Sequence, residues 1–246
     1  ITIEKKKINL LTDEELEKSS QVLAEELKKL ISEKVQFKDD ILIVGLGNEE
    51  VTPDALGPNL IKNVEVTRHI INYLPQYIDE NARPVSAIAP GVLGTTGIET
   101  LEIVKGVVEH IKPKLLIVID ALASRSMERI SSTIQISNTG IVPGAGVGNT
   151  RKEISINTLG IPVIAIGIPT VVETAVVVND ALNIFIEKLQ QEAKSNDYLN
   201  ELKEKDNYNE IKEALLPKEF NFIVTPKEID ELVVSMSEVV AKGINM

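Results

Sequence analysis

Four short, mostly aliphatic runs recur along the chain: Ile41–Val44, Val85–Ala89, Leu115–Ile119 and Pro162–Gly167. Runs this short and this apolar read as strands buried on both faces. Helix-patterned segments separate them. Strands that alternate with helices predict an α/β fold, a mostly parallel twisted sheet flanked by helices on both faces. The chain has no Trp and only 3% aromatic residues, so its core must be built from Ile, Val, Leu and Ala. At 246 residues it is long enough for a single α/β domain over 1–246. Residues 194–221 are polar and charged and read as an insertion or surface excursion.

The helices carry their own punctuation. Residues 12–33 are amphipathic, and Thr12 and Glu15 have the spacing of a capping box. A helix is expected from Pro53-Asp54 to about Val66, and another over 98–111, stopped by Pro113. Residues 132–137 alternate polar and apolar, as in a half-exposed or edge strand, and 170–193 read as largely helical. A last helix is expected from a second capping box at Thr225 and Glu228, with Pro226 at its first position and Gly243 as its C-cap.

Charge and residue usage exclude several functions. Lys+Arg number 26 against 37 Asp+Glu, a net charge of −11, which disfavours direct contact with nucleic acid. There is no Cys, hence no disulfide, no thiolate nucleophile and no Cys-ligated zinc, as fits a reducing compartment. No apolar run approaches the roughly 18 residues of a membrane span, and no signal peptide is seen. The chain begins at Ile1 rather than Met, so an N-terminal segment is expected to have been removed or to be missing.

In parallel α/β sheets, ligands bind at the carboxyl ends of the strands. Two carboxylates fall there. Asp54 follows the Gly45-Leu46-Gly47-Asn48 turn after the first run, and Asp120 closes the Leu115–Ile119 run. An ionised Asp at the end of an apolar run is costly unless it is used. The alternatives are structural: Asp54 as a helix cap and Asp120 as an acceptor in a turn. The glycine turn starts like a dinucleotide fingerprint, but Glu50 stands where its third Gly belongs. The loop at 143–149 is glycine-rich but lacks the ending of a P-loop, and Asn149 in it is a candidate for positive φ. The only histidines are His69, either structural or near the site, and His110, expected at a solvated helix end. They do not form a zinc pair.

Longer motifs resemble a known family. Ile43-Val-Gly-Leu-Gly-Asn48, Val51-Thr-Pro-Asp-Ala-Leu-Gly-Pro58, Arg83–Val92, Ile119-Asp-Ala-Leu-Ala123, Thr133–Ser137, Gly144–Asn149 and Leu159–Gly167 occur in one order over about residues 40–190. Together they resemble the spore germination protease family. That resemblance implies an atypical aspartic endopeptidase, made as a zymogen, that degrades small acid-soluble spore proteins during germination. It implies a homotetramer in the forespore and spore core, with no cofactor, and a fold similar to hydrogenase-maturation endopeptidases. It assigns the catalytic roles to Asp54 and Asp120. Peptide hydrolysis also needs donors for the oxyanion, and the backbone N–H groups at Gly47 and Asn48 are the candidates. Two rival readings remain: a metal-dependent peptidase with Asp54 and Asp120 as oxygen ligands, and a binding module without turnover.

Overall fold

The computed structural model describes residues 1–4, 11–80, 82–145, 151–192 and 207–246. Its strands are β1 (Thr2–Glu4), β2 (Ile41–Gly45), β3 (Val85–Ile88), β4 (Leu115–Ser124), β5 (Thr133–Ser137), β6 (Val163–Glu173) and β7 (Ile223–Val224). Its helices are α1 (Asp13–Ser32), α2 (Leu56–Ile61), α3 (Arg68–Tyr73), α4 (Leu93–Thr96), α5 (Thr100–Ile111), α6 (Ile156–Leu159), α7 (Thr174–Glu192), α8 (Tyr208–Leu215) and α9 (Ile229–Asn245).

The strands form one sheet in the order β1-β5-β6-β4-β2-β3, with β7 paired to the far end of β6. The four expected runs make its parallel core, β3-β2-β4-β6. The edge beyond β6 is antiparallel: β5 pairs β6, β1 pairs β5, and β7 also runs against β6. The sheet is therefore mixed. β5 is half-exposed, but β1 covers its outer side.

Helices cover both faces, and the period of two along each strand decides which side chains meet which helix. Ile41 and Ile43 of β2 pack with Leu23 and Leu27 of α1, Leu56 and Leu60 of α2, and Val233 and Val240 of α9. Leu42 and Val44 pack on the other face with Val104 and Val108 of α5.

Thr12 caps α1 as its spacing predicts: Thr12 Oγ1 accepts from Glu15 N at 3.3 Å, and Glu15 Oε2 accepts from Thr12 N at 2.8 Å. Thr12→Ala is expected to cost about 1 kcal/mol, read as a lower midpoint in urea unfolding.

Several boundaries differ from the sequence reading, each for a local reason. α2 stops at Ile61, well before Val66, and residues 52–54 form a separate 3-10 turn. β4 and β6 run past Ile119 and Gly167, because residues 121–124 of one pair with residues 168–172 of the other. α9 begins at Ile229 and has no side-chain cap; the Thr225 hydroxyl donates to Pro226 O instead. Gly243 lies inside α9, where a Cβ would come within 2.9 Å of Ser20 O and of the Leu23 side chain. It is a close-packing glycine against α1 rather than a C-cap.

The polar stretch is only partly described, since 194–206 lie outside the described residues. Its remainder is held firmly. Glu173, at the end of β6, accepts from Tyr208 Oη at 2.7 Å, Lys212 Nζ at 2.9 Å and Asn221 Nδ2 at 3.2 Å. Burial alone would raise the Glu173 carboxyl, but the bonds from Lys212, Tyr208 and Asn221 outweigh it and hold the carboxyl below its usual range.

Candidate active site

The parallel core has one topological switch point. From β2 the chain goes outward to β3, whereas β4 leads the other way to β6. The crevice between the carboxyl ends of β2 and β4 is where ligands bind in such sheets. Asp120 and the 52–54 turn that carries Asp54 both lie at this point, near enough for the charge of Asp54 to act on Asp120.

β2 and β4 pair as far as Gly45 and Ile119, and Leu46 N still donates to Ile119 O at 2.8 Å. There β2 turns away. Asp120 is thus the first residue of β4 that β2 leaves uncovered, while on its other side it pairs with Gly167 of β6. Asp120 ends the apolar run as expected, yet it lies within a continuous strand rather than closing one. A bulge follows between Leu122 and Ala123, and bulges often re-aim strands beside sites.

Three glycines bring Asp54 to the same place. Gly45 and Gly57 face each other so closely that a Cβ on Gly45 would sit 2.2 Å from Gly57 O, and one on Gly57 2.2 Å from Leu46 O. α2 can therefore lie directly on β2, which lays the preceding 52–54 turn over the strand ends, in contact with β4 and β6. Gly47 has φ +116°, and a Cβ there would lie 1.9 Å from Asp54 O. No side chain other than hydrogen fits that position.

Asn48 then fixes the carboxylate: its backbone N–H donates to Asp54 Oδ2 at 2.8 Å. That bond engages the donor proposed for an oxyanion, so in this structure the Asn48 N–H holds Asp54. The Asn48 Oδ1 accepts from Glu50 N at 3.1 Å, an Asx turn. Sequence reasoning missed this positioning role, although an Asn directly after the glycine turn was a usable signal.

The two carboxyls differ in environment. Asp120 is 6% exposed. Burial, then the charge of Asp54, push its carboxyl up to about 8, against a hydrogen bond from the Ala121 backbone. Asp54 is half-buried; burial raises it too, and the Asn48 N–H works in the opposite direction. One carboxyl is thus biased to keep a proton, and its neighbour is given a donor that favours the ionised form. Paired acids of unequal environment are the arrangement that acid–base chemistry requires.

His69 and His110 are exposed, on α3 and at the end of α5 respectively. Residues 146–150, including the expected turn at Asn149, lie outside the described residues. Among the described residues no group of three or more His, Cys, Asp or Glu is placed to hold a metal, and no helix is long and apolar enough to cross a membrane.

A family model described as Germination protease matches residues 1–202 and again 197–246. The chain belongs to the germination protease family. It is 48% identical to the germination protease of Clostridium acetobutylicum over 251 residues, spanning 100% of this chain and 77% of that one. It is 51% identical to the germination protease of Bacillus subtilis over 197 residues, spanning 80% of this chain and 54% of that one. Among solved structures, a nickel–iron hydrogenase maturation protease, HycI from Thermococcus kodakarensis, aligns with a TM-score of 0.35 and 16% identity over 57% of this chain and 80% of that one.

Proposed function

We propose that the chain is an endopeptidase that hydrolyses small acid-soluble spore proteins, with Asp54 as general base and Asp120 as general acid. Family membership supports the peptidase activity. The unequal pair of carboxyls at the switch point supports the division of roles. The substrate class, maturation from a zymogen and assembly as a homotetramer follow from the family resemblance.

The chemistry needs one proton shared by two acids. Ionised Asp54 takes a proton from a water molecule, which attacks the scissile carbonyl carbon. Protonated Asp120 polarises the carbonyl oxygen and then gives its proton to the departing amine. Asp54 passes the proton it took from water to Asp120, which restores the starting pair, and the product acid loses its own proton to solvent.

The test is cleavage of a purified small acid-soluble spore protein across a pH series, with and without a chelator. The expected kcat/KM profile falls on its alkaline side near pH 8, where the pair loses its remaining proton, and is indifferent to chelator. Absence of cleavage at every pH overturns the proposal. Loss of activity on chelation transfers the reaction to a metal-dependent mechanism.

A further inference from the structure

The parallel core ends in β3, which among the described residues has β2 as its only strand partner. Along an extended strand, successive residues turn their N–H and C=O to opposite sides. Two observations fix the direction here. Pro84 O accepts from Ile41 N at 3.0 Å, so Pro84 faces β2. Val85 O accepts from Thr67 N at 3.0 Å, and Val85 N donates to Thr67 Oγ1 at 2.9 Å, so Val85 faces away. Ala87 therefore faces away as well, and just past the strand end the Ala89 N–H points the same way, because the trans peptide sets it opposite the Ile88 carbonyl that faces β2. Among the described residues neither has a hydrogen-bond partner on that side.

Open edges are normally blunted by charged residues, internal Pro or bulges. Val85–Ala89 contains neither a charge nor a Pro. Thr67 closes the first position of the edge and leaves open the end nearest the site. The glycine turn that carries Asn48 and Asp54 leaves β2, one strand spacing of about 4.8 Å away. Close to the start of the edge, α3 packs on β3, and Tyr73, Leu74 and Tyr77 are exposed in α3 and the turn after it.

We propose that this edge is a substrate-docking site: an extended segment of the polypeptide adds to β3 as a further strand, bonded to the outward N–H and C=O groups of Ala87 and to the N–H of Ala89. The inference rests on the peptidase reading above. The added strand would lie about three strand spacings, roughly 14 Å, from β4. The paired residues are then about four or five positions from the bond that is cut. Backbone pairing of this kind reads extended conformation more than sequence.

Two measurements test it. Ala87→Pro removes an outward N–H, a change that edge strands tolerate. Its melting temperature is expected to stay close to wild type, while KM for the spore protein rises about tenfold or more and kcat changes little. Independently of any variant, synthetic substrates carrying one N-methyl group at successive positions are offered to the wild-type enzyme. Strand addition predicts a period-two pattern, with alternate positions losing about tenfold in kcat/KM and those between them unaffected. A flat pattern, or an unchanged KM in a folded Ala87→Pro enzyme, overturns the proposal. An unchanged KM together with an altered sedimentation coefficient assigns the edge to contact between copies of the chain. If wild-type enzyme cuts no spore protein at all, the peptidase reading itself has failed.

Discussion

Asp120→Asn is expected to abolish cleavage and to stabilise the fold in the same molecule. The loss of activity follows from its role as proton donor, and removal of a positioned general acid lowers kcat on the order of 10³-fold. The gain in stability follows from burial. The Asp120 carboxyl titrates at about 8 in the folded chain against 3.8 without the fold. Between those values the folded chain keeps a proton that the unfolded chain has released, so stability falls as pH rises through the window. Above about pH 8 the folded chain carries a buried carboxylate at full cost. At 1.36 kcal/mol per unit, the ceiling on that cost is roughly 6 kcal/mol. Asn is neutral at every pH and relieves it, but its amide needs partners of its own, so a net gain of about 2 kcal/mol is expected. That corresponds to a rise in melting temperature of about 4–8 °C. The gain should vanish near pH 4 and reach its plateau above pH 8 in a series of thermal melts. A structural Asp120, holding backbone groups in place, gives the opposite sign. A lower melting temperature at pH 8 would therefore sink the catalytic assignment, whatever the activity.

Asp54→Asn separates the two carboxyls further. It removes the neighbouring charge that helps to raise Asp120, so the alkaline limb of any residual activity moves to lower pH. Activity itself is lost because the base is gone.

How much of this site was legible in the sequence depends on range. The aliphatic runs at 41–44 and 115–119 gave the parallel core, because burial on both faces leaves a local signature in the side chains themselves. They also put Asp54 and Asp120 at strand ends. The continuation of β4 past Asp120 was not legible. Among the described residues Ala121–Ser124 is paired by β6 alone, and that pairing is set by the register of Val163–Glu173 rather than by any local pattern. The antiparallel edge was hidden for the same reason, since β1 is three residues long and is defined by its partner β5. At Thr225-Pro-Lys-Glu228 a correct local motif was overruled: the helix starts later, where Ile229 and Leu232 reach the core. Unequal burial of the two acids is a property of the assembled fold, so which is acid and which is base emerges only there.

The glycines show the same division, and the second large effect is expected at one of them. Gly57→Ala should cost about 3 kcal/mol or more, read by urea unfolding. The residue lies in the first turn of α2, where Ala is ordinarily favoured, and its φ is not positive. Conformation is therefore not the issue. A Cβ at Gly57 would meet Leu46 O at 2.2 Å, Leu46 N at 2.5 Å and Gly45 C at 2.6 Å, all of them backbone atoms. Backbone in a central parallel strand cannot give way as the end of a side chain can, so α2 must lift off β2. The 52–54 turn precedes α2 directly, and lifting the helix carries Asp54 away from Asp120. Molecules that still fold are then expected to lose activity as well, since an ångström of misplacement costs on the order of 10²-fold. Gly106→Ala is the internal control. It lies in α5, exposed, with nothing within 4 Å of an added Cβ. There the ordinary helix preference should prevail and stabilise the protein by about 0.5–1 kcal/mol with activity unchanged. The two substitutions are chemically identical and of opposite predicted sign, so only the close approach of α2 to β2 distinguishes them. If Gly57→Ala proved as mild as Gly106→Ala, that approach could not be what brings Asp54 to Asp120.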